Sequence, residues 1–317
     1  MNTHQMKQKT INYLGVLNFL LFSASTLSLF AFTHWTLELL SHFKHLYLFF
    51  GISFLAVFII IKQYKHIVLA IFTILTNVIF VLPFYSFENT PPKLTGKQTF
   101  SVMLSNVERR NAEHLQLINY INQKKPDVLV LQEVNKRWLS DLNTTINRYH
   151  HRLVIPRDDG FGIALLSKFP FATQQIANWG PLDVPSIEVQ LTIDEHHFYL
   201  LTSHPIPPLG ATYSKYRNQQ LKELAMRASE IDQAKLVVGD LNITPWSPHY
   251  KQLEQNTGLS NSRNGLGLLN TWPAQLPLLG IPIDHILMSN HFSLVNLETG
   301  PNIGSDHLPL YGEFTFK

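Results

Sequence analysis

The chain predicts a layered α/β domain with mixed sheets, preceded by three apolar membrane helices. Three observations carry that expectation. Residues 1 to about 87 hold three long apolar runs, whereas from about 93 onward the composition is that of an ordinary water-soluble domain. The second part opens strand, helix, strand and then turns to short strands with tight connections, the order of a mixed sheet. Six of its strand-like runs end in, or adjoin, a carboxylate, an amide or an imidazole.

The first apolar run, Ile11 to Thr33, has no charged residue over 23 positions. The second, Leu46 to Ile61, is shorter, and the third, Ile67 to Tyr85, has Asn77 as its one strongly polar residue. A bilayer core takes about 20 apolar residues per helix, so spans are expected at 11–33, 46–61 and 67–85. No small-residue cleavage site precedes Trp35, which argues against a removed signal peptide. The runs are apolar on all faces, which argues against a buried hairpin in a soluble core. With one Asn and no charge inside them, they lack the polar groups of a transport pathway. Asn77 and Gly51 are candidates for span association.

Lys7 and Lys9 before the first span, and Lys62 and Lys65 between the second and third, outweigh Lys44 with Glu38 between the first and second. By the positive-inside rule the amino terminus lies in the cytoplasm, and three spans put the carboxy-terminal domain outside. Residues 86–317 hold 20 Lys plus Arg against 21 Asp plus Glu. The net charge of +3 therefore belongs to the apolar segment, and bulk charge does not demand nucleic acid. The lack of cysteine is compatible with either side of a membrane.

Residues 88–98, with Pro91, Pro92 and Gly96, read as a linker to a domain over 99–317. Thr99 to Ser105 is a strand ending at Asn106. Leu115, Leu117, Ile118 and Ile121 recur at helical spacing until Pro126, and Val128 to Leu131 is an apolar strand ending at Gln132-Glu133. Further strands are expected at 163–166, 187–193 and 198–202, the last two as a hairpin turning at Asp194-Glu195. A helix over 216–231 leads into the buried strand 236–238, which Gly239 stops. Asp240 and Asn242 follow two positions apart, and continued extended backbone would project them to one side. Strands are also expected at 283–288, 292–297 and 310–316.

The polar clusters are Asn106; Gln132-Glu133; His204; Asp240 with Asn242; Asp284-His285; and Asp306-His307. Each alone has an ordinary reading as a turn, cap or loop residue. Together, oxygen donors without cysteine suit a hard cation such as Mg²⁺ better than zinc. Imidazole beside carboxylate suits proton transfer or stabilisation of a phosphoryl oxygen. The serine-hydrolase elbow, the zinc-protease helix motif and the P-loop are all missing from the sequence.

In this order the motifs resemble the endonuclease/exonuclease/phosphatase superfamily, the DNase I-like fold. The matching pieces are Ser105-Asn106, Gln132-Glu133, Gly162 to Lys168, Thr202 to His204, Gly239 to Asn242, Ile283 to His285 and Gly304 to His307. With His204-Pro-x-Pro-Pro at 204–208, the chain is most similar to the membrane-anchored bacterial YafD-like branch. The resemblance implies a bacterial inner-membrane phosphoesterase using Mg²⁺, with Mn²⁺ as a substitute. It implies Glu133 as main metal ligand with Asn106 and Asp306 beside it. Asp240 would orient or deprotonate the attacking water, and Asn242 would place the scissile phosphate. His307, held by Asp284, would stabilise the phosphoryl oxygens or act as acid/base, and His204 would be a second histidine at the substrate. Glu108 receives no role. The substrate is a phosphate ester, with nucleic acid and phospholipid both open, and the bilayer is the other partner. Nothing calls for an obligate protein partner. A non-catalytic membrane-tethered binding module is the alternative from another class.

Overall fold

In the computed structural model of the chain, residues 3–86 and 98–317 are described. Apart from Gln98, the expected linker lies outside them. The chain divides into two compact units, Met1–Ser86 with Trp246–Pro248, and Phe87–Pro245 with His249–Lys317.

The first unit contains helices α1 (Thr3–Leu27), α2 (Trp35–Ser41), α3 (Lys44–Ile60) and α4 (Tyr64–Val81). Two helical stretches, Gln5–Phe30 and Tyr64–Tyr85, are long and apolar enough to cross a membrane. The run expected as the middle span is the 17-residue α3. It reaches spanning length only together with α2, from which it is bent by 61°. Large apolar side chains such as Phe19, Leu20, Ile52, Phe72 and Ile79 point outward, while polar groups turn inward. Asn77 Nδ2 donates to Ser25 Oγ at 2.6 Å, and Asn18 Nδ2 to the His66 carbonyl at 2.9 Å. A Cβ on Gly51 would stand 3.2 Å from Ile74 Cγ1, so this glycine sets the approach of α3 to α4. Small residues and interhelical hydrogen bonds are what hold helices together where the exterior is apolar.

The second unit is built on two six-stranded sheets. The first has the order β11 (Phe292–Thr299), β12 (Leu310–Phe316), β1 (Thr99–Asn106), β2 (Val128–Gln132), β4 (Ile163–Ser167), β3 (His151–Ile155). The second runs β5 (Phe171–Asn178), β6 (Pro185–Ile193), β7 (His196–Thr202), β8 (Lys235–Asp240), β10 (Asp284–Met288), β9 (Ser260–Asn261). Alternate residues of each strand face the other sheet. Val102, Leu104 and Val130 thereby meet Leu200, Leu236, Val238 and Ile286 in one buried cluster. The intervening residues face helices. Met103, Leu129 and Leu131 pack with Leu117 and Ile121 of α5 (His114–Lys124) and Trp138 of α6 (Lys136–Asp141). Leu201, Val237 and Leu287 pack with Leu221 and Leu224 of α8 (Ala211–Ser229) and Leu253 of α9 (Pro248–Thr257). The short α7 (Asn143–Ile146) completes the helices. Strands covered on both faces read as continuous apolar runs, which is why β2, β4 and β8 stand out in the sequence.

This is the layered sandwich expected. β1 and β2 pair in parallel around α5, and β7 and β8 in parallel around α8. Their antiparallel neighbours β12 and β10 begin where they end: Leu104 is opposite Leu310, and Asp240 opposite Asp284. The carboxyl ends of four strands and the starts of two others therefore share one end of the sandwich.

Candidate active site

That shared end collects the eight side chains to which the resemblance gives a role. The first sheet brings Asn106, Glu133, Asp306 and His307; the second brings His204, Asp240, Asn242 and Asp284. Asn106 closes β1 beside Gln132 in parallel register. Glu133 follows with φ of 62°, in the left-handed region that a glutamate adopts only at a cost of about 1–3 kcal/mol. The turn is pinned by Val134, whose N–H donates to the Gly162 carbonyl at 3.2 Å. A Cβ on Gly162 would stand 1.8 Å from the Val134 carbonyl oxygen, so no other residue fits there.

Of the two backbone courses open to Asn242, extended or turn, the chain takes the turn. The Asn242 φ is 50°, and its N–H folds back to Asp240 Oδ1 at 2.9 Å. The side chains of Asp240 and Asn242 are thus placed by a turn rather than by strand alternation. Asn242 Nδ2 donates to the Pro205 carbonyl at 2.9 Å, and its own carbonyl accepts from the buried Arg217 Nη1 at 2.6 Å.

Asp240 is the centre of the site. It is buried, and its Oδ2 lies 3.2 Å from Asn106 Nδ2, 3.3 Å from His204 Nε2 and 3.6 Å from His307 Nε2. The same Asn106 amide reaches Glu133 Oε1 at 3.1 Å. His307 Nδ1 donates to Asp284 Oδ2 at 2.9 Å, which directs Nε2 toward Asp240. Burial opposes charge on His307, but the Asp284 and Asp240 carboxylates outweigh it and raise its pKa. Burial likewise opposes charge on His204, and its hydrogen bond to Asp240 raises it above the ordinary range. Burial would raise Asp240; the His307 charge, with His204 and the Asn242 N–H, instead holds it below the usual carboxylate range. Asp284 Oδ1 and His204 Nδ1 are buried without a hydrogen-bond partner in the protein, as atoms awaiting water or ligand are.

Four residues that matter here were given no role in the sequence analysis. Gln132 stitches the sheets together: its Oε1 accepts from the Asp240 N–H at 2.7 Å, and its Nε2 donates to the Ser203 carbonyl at 2.9 Å. Gly239 makes room for that link, since a Cβ there would stand 2.2 Å from the Ser203 carbonyl oxygen. Trp272 Nε1 donates to Asp306 Oδ2 at 3.0 Å. Glu108 joins Glu133 and Asp306: its pKa is raised by burial first and by the Asp306 and Glu133 charges, with His307 opposing. Gln132 and Glu108 adjoin motif residues and were visible on that ground. Trp272 lies 34 positions from Asp306 and had no local signal.

Among the described residues one compact group could hold a metal ion. Asp240, Asp284 and His307 offer ligand atoms within 4.8 Å of one another, all buried. Glu133 and Asp306, half-exposed, lie with Asn106 on the more open side. The buried group already spends Asp284 Oδ2 and His307 Nδ1 on each other. Glu133 and Asp306 offer carboxylate oxygens, the donors a hard cation takes while keeping several waters, and Asn106 turns its Nδ2 toward Glu133 and its Oδ1 to the Glu108 N–H.

Solved structures of similar fold share little sequence with the chain. The human Nocturnin catalytic domain with bound sulfate aligns at 18% identity and a TM-score of 0.59, over 72% of this chain and 100% of its own. D. rerio TDP2 complexed with single-strand DNA product aligns at 18% identity and a TM-score of 0.58, over 68% and 99%. An endonuclease/exonuclease/phosphatase from Bacteroides vulgatus aligns at 16% identity and a TM-score of 0.58, over 70% and 100%. No curated protein matches the sequence significantly. These likenesses establish the DNase I-like fold. The profile of the Endonuclease/Exonuclease/phosphatase family matches residues 99–307, about two thirds of the chain, and carries the assignment further. With the fold, the ordered motifs and that match in agreement, the chain belongs to the endonuclease/exonuclease/phosphatase family.

Proposed function

We propose that this protein is a membrane-anchored, Mg²⁺-dependent phosphoesterase of the YafD-like type that directs water in line at phosphorus. One observation carries the reading. Asp240 is buried between two imidazoles and tied through Asn106 to Glu133, so an ionised base, two proton donors and an oxygen-donor metal group converge at one place. The anchor comprises residues 1–87, the linker 88–98 and the catalytic domain 99–317, with the amino terminus in the cytoplasm of a bacterium and the catalytic domain outside the inner membrane.

Glu133, Asp306 and Asn106 would hold the ion, for which Mn²⁺ substitutes. Bound there, Mg²⁺ supplies charge neutralisation at the phosphoryl oxygens. The remaining work falls to the chain's own groups. Asp240, kept ionised by its imidazole neighbours, orients the water and takes its proton as the new oxygen–phosphorus bond forms; the P–O ester bond opposite breaks, and the leaving oxygen takes a proton from solvent. His307 presents Nε2–H to a non-bridging oxygen, and Asp284 fixes its ring and tautomer through Nδ1. His204 presents a second donor. Asn242, locked by Asp240, Pro205 and Arg217, places the scissile phosphate.

The test uses the full chain in detergent with bis(p-nitrophenyl) phosphate and p-nitrophenyl phosphate, Mg²⁺ or EDTA, and the variants Glu133→Ala and Asp240→Asn. Metal-dependent turnover lost in both variants is the expected result. Turnover indifferent to EDTA and to both substitutions would remove the hydrolase reading and leave the binding-module alternative.

A further inference from the structure

The loop beside the site carries an apolar tip that the reaction does not use. Leu276, Leu278 and Leu279 are 58%, 90% and 45% exposed, and Trp272 at its base is 36% exposed. Single exposed leucines need no explanation, but three within four residues at a loop tip do. The tip is built rather than slack. The Leu276, Leu279 and Gly280 N–H groups donate to the Pro273, Leu276 and Pro277 carbonyls, and Asn270 Nδ2 closes on the Pro277 carbonyl at 3.1 Å. Its base is joined to the site: Trp272 Nε1 meets Asp306 Oδ2 at 3.0 Å, and the Ala274 N–H donates to the Asp306 carbonyl at 2.7 Å.

From this we propose that the loop is a lipid-docking rim and that the phosphoester taken by the site is the head-group phosphodiester of a membrane lipid. The inference rests on the hydrolase reading above and names its substrate class. The loop itself offers a polynucleotide no cation. From Gly265 to Ile283 the sequence has no Lys, Arg, His, Asp or Glu, whereas a surface that grips a phosphate backbone needs cations. The occupant follows from the same chain. Residues 86–98 separate the last apolar helical stretch from the first strand. Thirteen residues extend at most about 45 Å, so a bilayer crossed by those helices is within reach of the domain. A rim of leucines beside the proposed metal side would hold a lipid's acyl region while its phosphate enters.

The chain has no cysteine, so single labelling sites are clean. Leu278→Cys and, as a control at the exposed β6–β7 turn, Glu195→Cys are labelled with a nitrobenzoxadiazole fluorophore. The full chain is then placed in nanodiscs of phosphatidylcholine and phosphatidylglycerol with brominated acyl chains. The expected result is quenching of the Leu278 label at least about twofold above the control, as an apolar tip buried in hydrocarbon requires. In a second arm, mixed vesicles of phosphatidylcholine, phosphatidylethanolamine, phosphatidylglycerol and cardiolipin are compared with bis(p-nitrophenyl) phosphate as substrates. For Leu276→Ser with Leu278→Ser, the ratio of vesicle to soluble turnover should fall at least about tenfold, because the lost contacts are made only to lipid. Equal quenching at both labels overturns the docking rim. A wild type that hydrolyses the soluble diester or single-stranded DNA but no vesicle lipid overturns the substrate class. A wild type inactive on the soluble diester strikes the hydrolase reading, and the quenching arm still decides the rim.

Discussion

Two sets of acids meet at the end of the sandwich, and their surroundings differ. Asp240 and Asp284 are buried and have imidazoles beside them: His204 and His307 face the first, and His307 bonds the second. Glu133 and Asp306 are half-exposed, with Glu108 as a third carboxyl near them. The difference teaches a division of labour. On the proposed reading Asp240, held below the usual carboxylate range by its imidazole neighbours, serves as the base, while the half-exposed acids take a cation from outside.

The largest expected effect tests the first half of that comparison. Asp240→Asn should lower kcat about 10³-fold, a base's share with its electrostatic role, while Mg²⁺ affinity by calorimetry changes little. If affinity collapses together with turnover, the ion belongs in the buried group. The second half is tested by exchanging acids. Glu133→Gln should raise the Mg²⁺ Kd by about 10–100-fold, and Asp284→Asn by much less. The reverse order of effects would assign the metal to Asp240, Asp284 and His307.

A smaller effect concerns what holds the two halves in register. Gln132→Leu leaves the buried Asp240 N–H and Ser203 carbonyl unpaired, each worth about 1–3 kcal/mol. A thermal melt should show the loss, and Gln132→Glu, which keeps the acceptor for Asp240, should recover part of it. Equal melting of Gln132→Leu and wild type would deny the stitch.

The smallest effect is a pH dependence that contrasts two histidines. His285, behind the site, donates Nε2–H to the Ile243 carbonyl, and burial, then the Arg263 charge, lowers its pKa to about 3. A histidine depressed on folding contributes stability that is whole above its unfolded value, about 6.5, and is lost as pH falls toward 3. From pH 7 to pH 5 this group should cost on the order of 2 kcal/mol, and His285→Asn should flatten that limb of a denaturation series. His307 acts in the opposite sense. Its pKa is raised, so its contribution is whole below about 6.5 and lost as pH rises through the folded value.

Nine of the twelve strands among the described residues were legible because they carry apolar runs. β3 and β5 were not. β5 reads Phe-Ala-Thr-Gln-Gln-Ile-Ala-Asn and is mostly exposed, pairing only with β6 at the edge of its sheet. A polar edge strand has no periodicity to betray it. The two-residue β9 is too short for any pattern. The residues gathered at this end were legible because each lies just after, or at or just before the start of, a recognisable strand. Trp272 and the bridging task of Gln132 were not, since each depends on a partner far away in the chain. The placement of Asn242 by a left-handed turn was hidden for a further reason. Two positions after a strand, alternation and turn give different directions, and only backbone geometry chooses between them.

The sequence by itself determined the apolar helices, the order of the strands and the chemical types brought to their ends, because burial and hydrogen bonding act on local patterns. Only the tertiary structure decided which acid is paired and which is open. That choice depends on the approach of two sheets, and on glycines at 162 and 239, where a Cβ would strike the Val134 and Ser203 carbonyl oxygens beside the neighbouring strand of the same sheet. A side chain's charge and accessibility are properties of its neighbours, and those neighbours come from the other end of the chain.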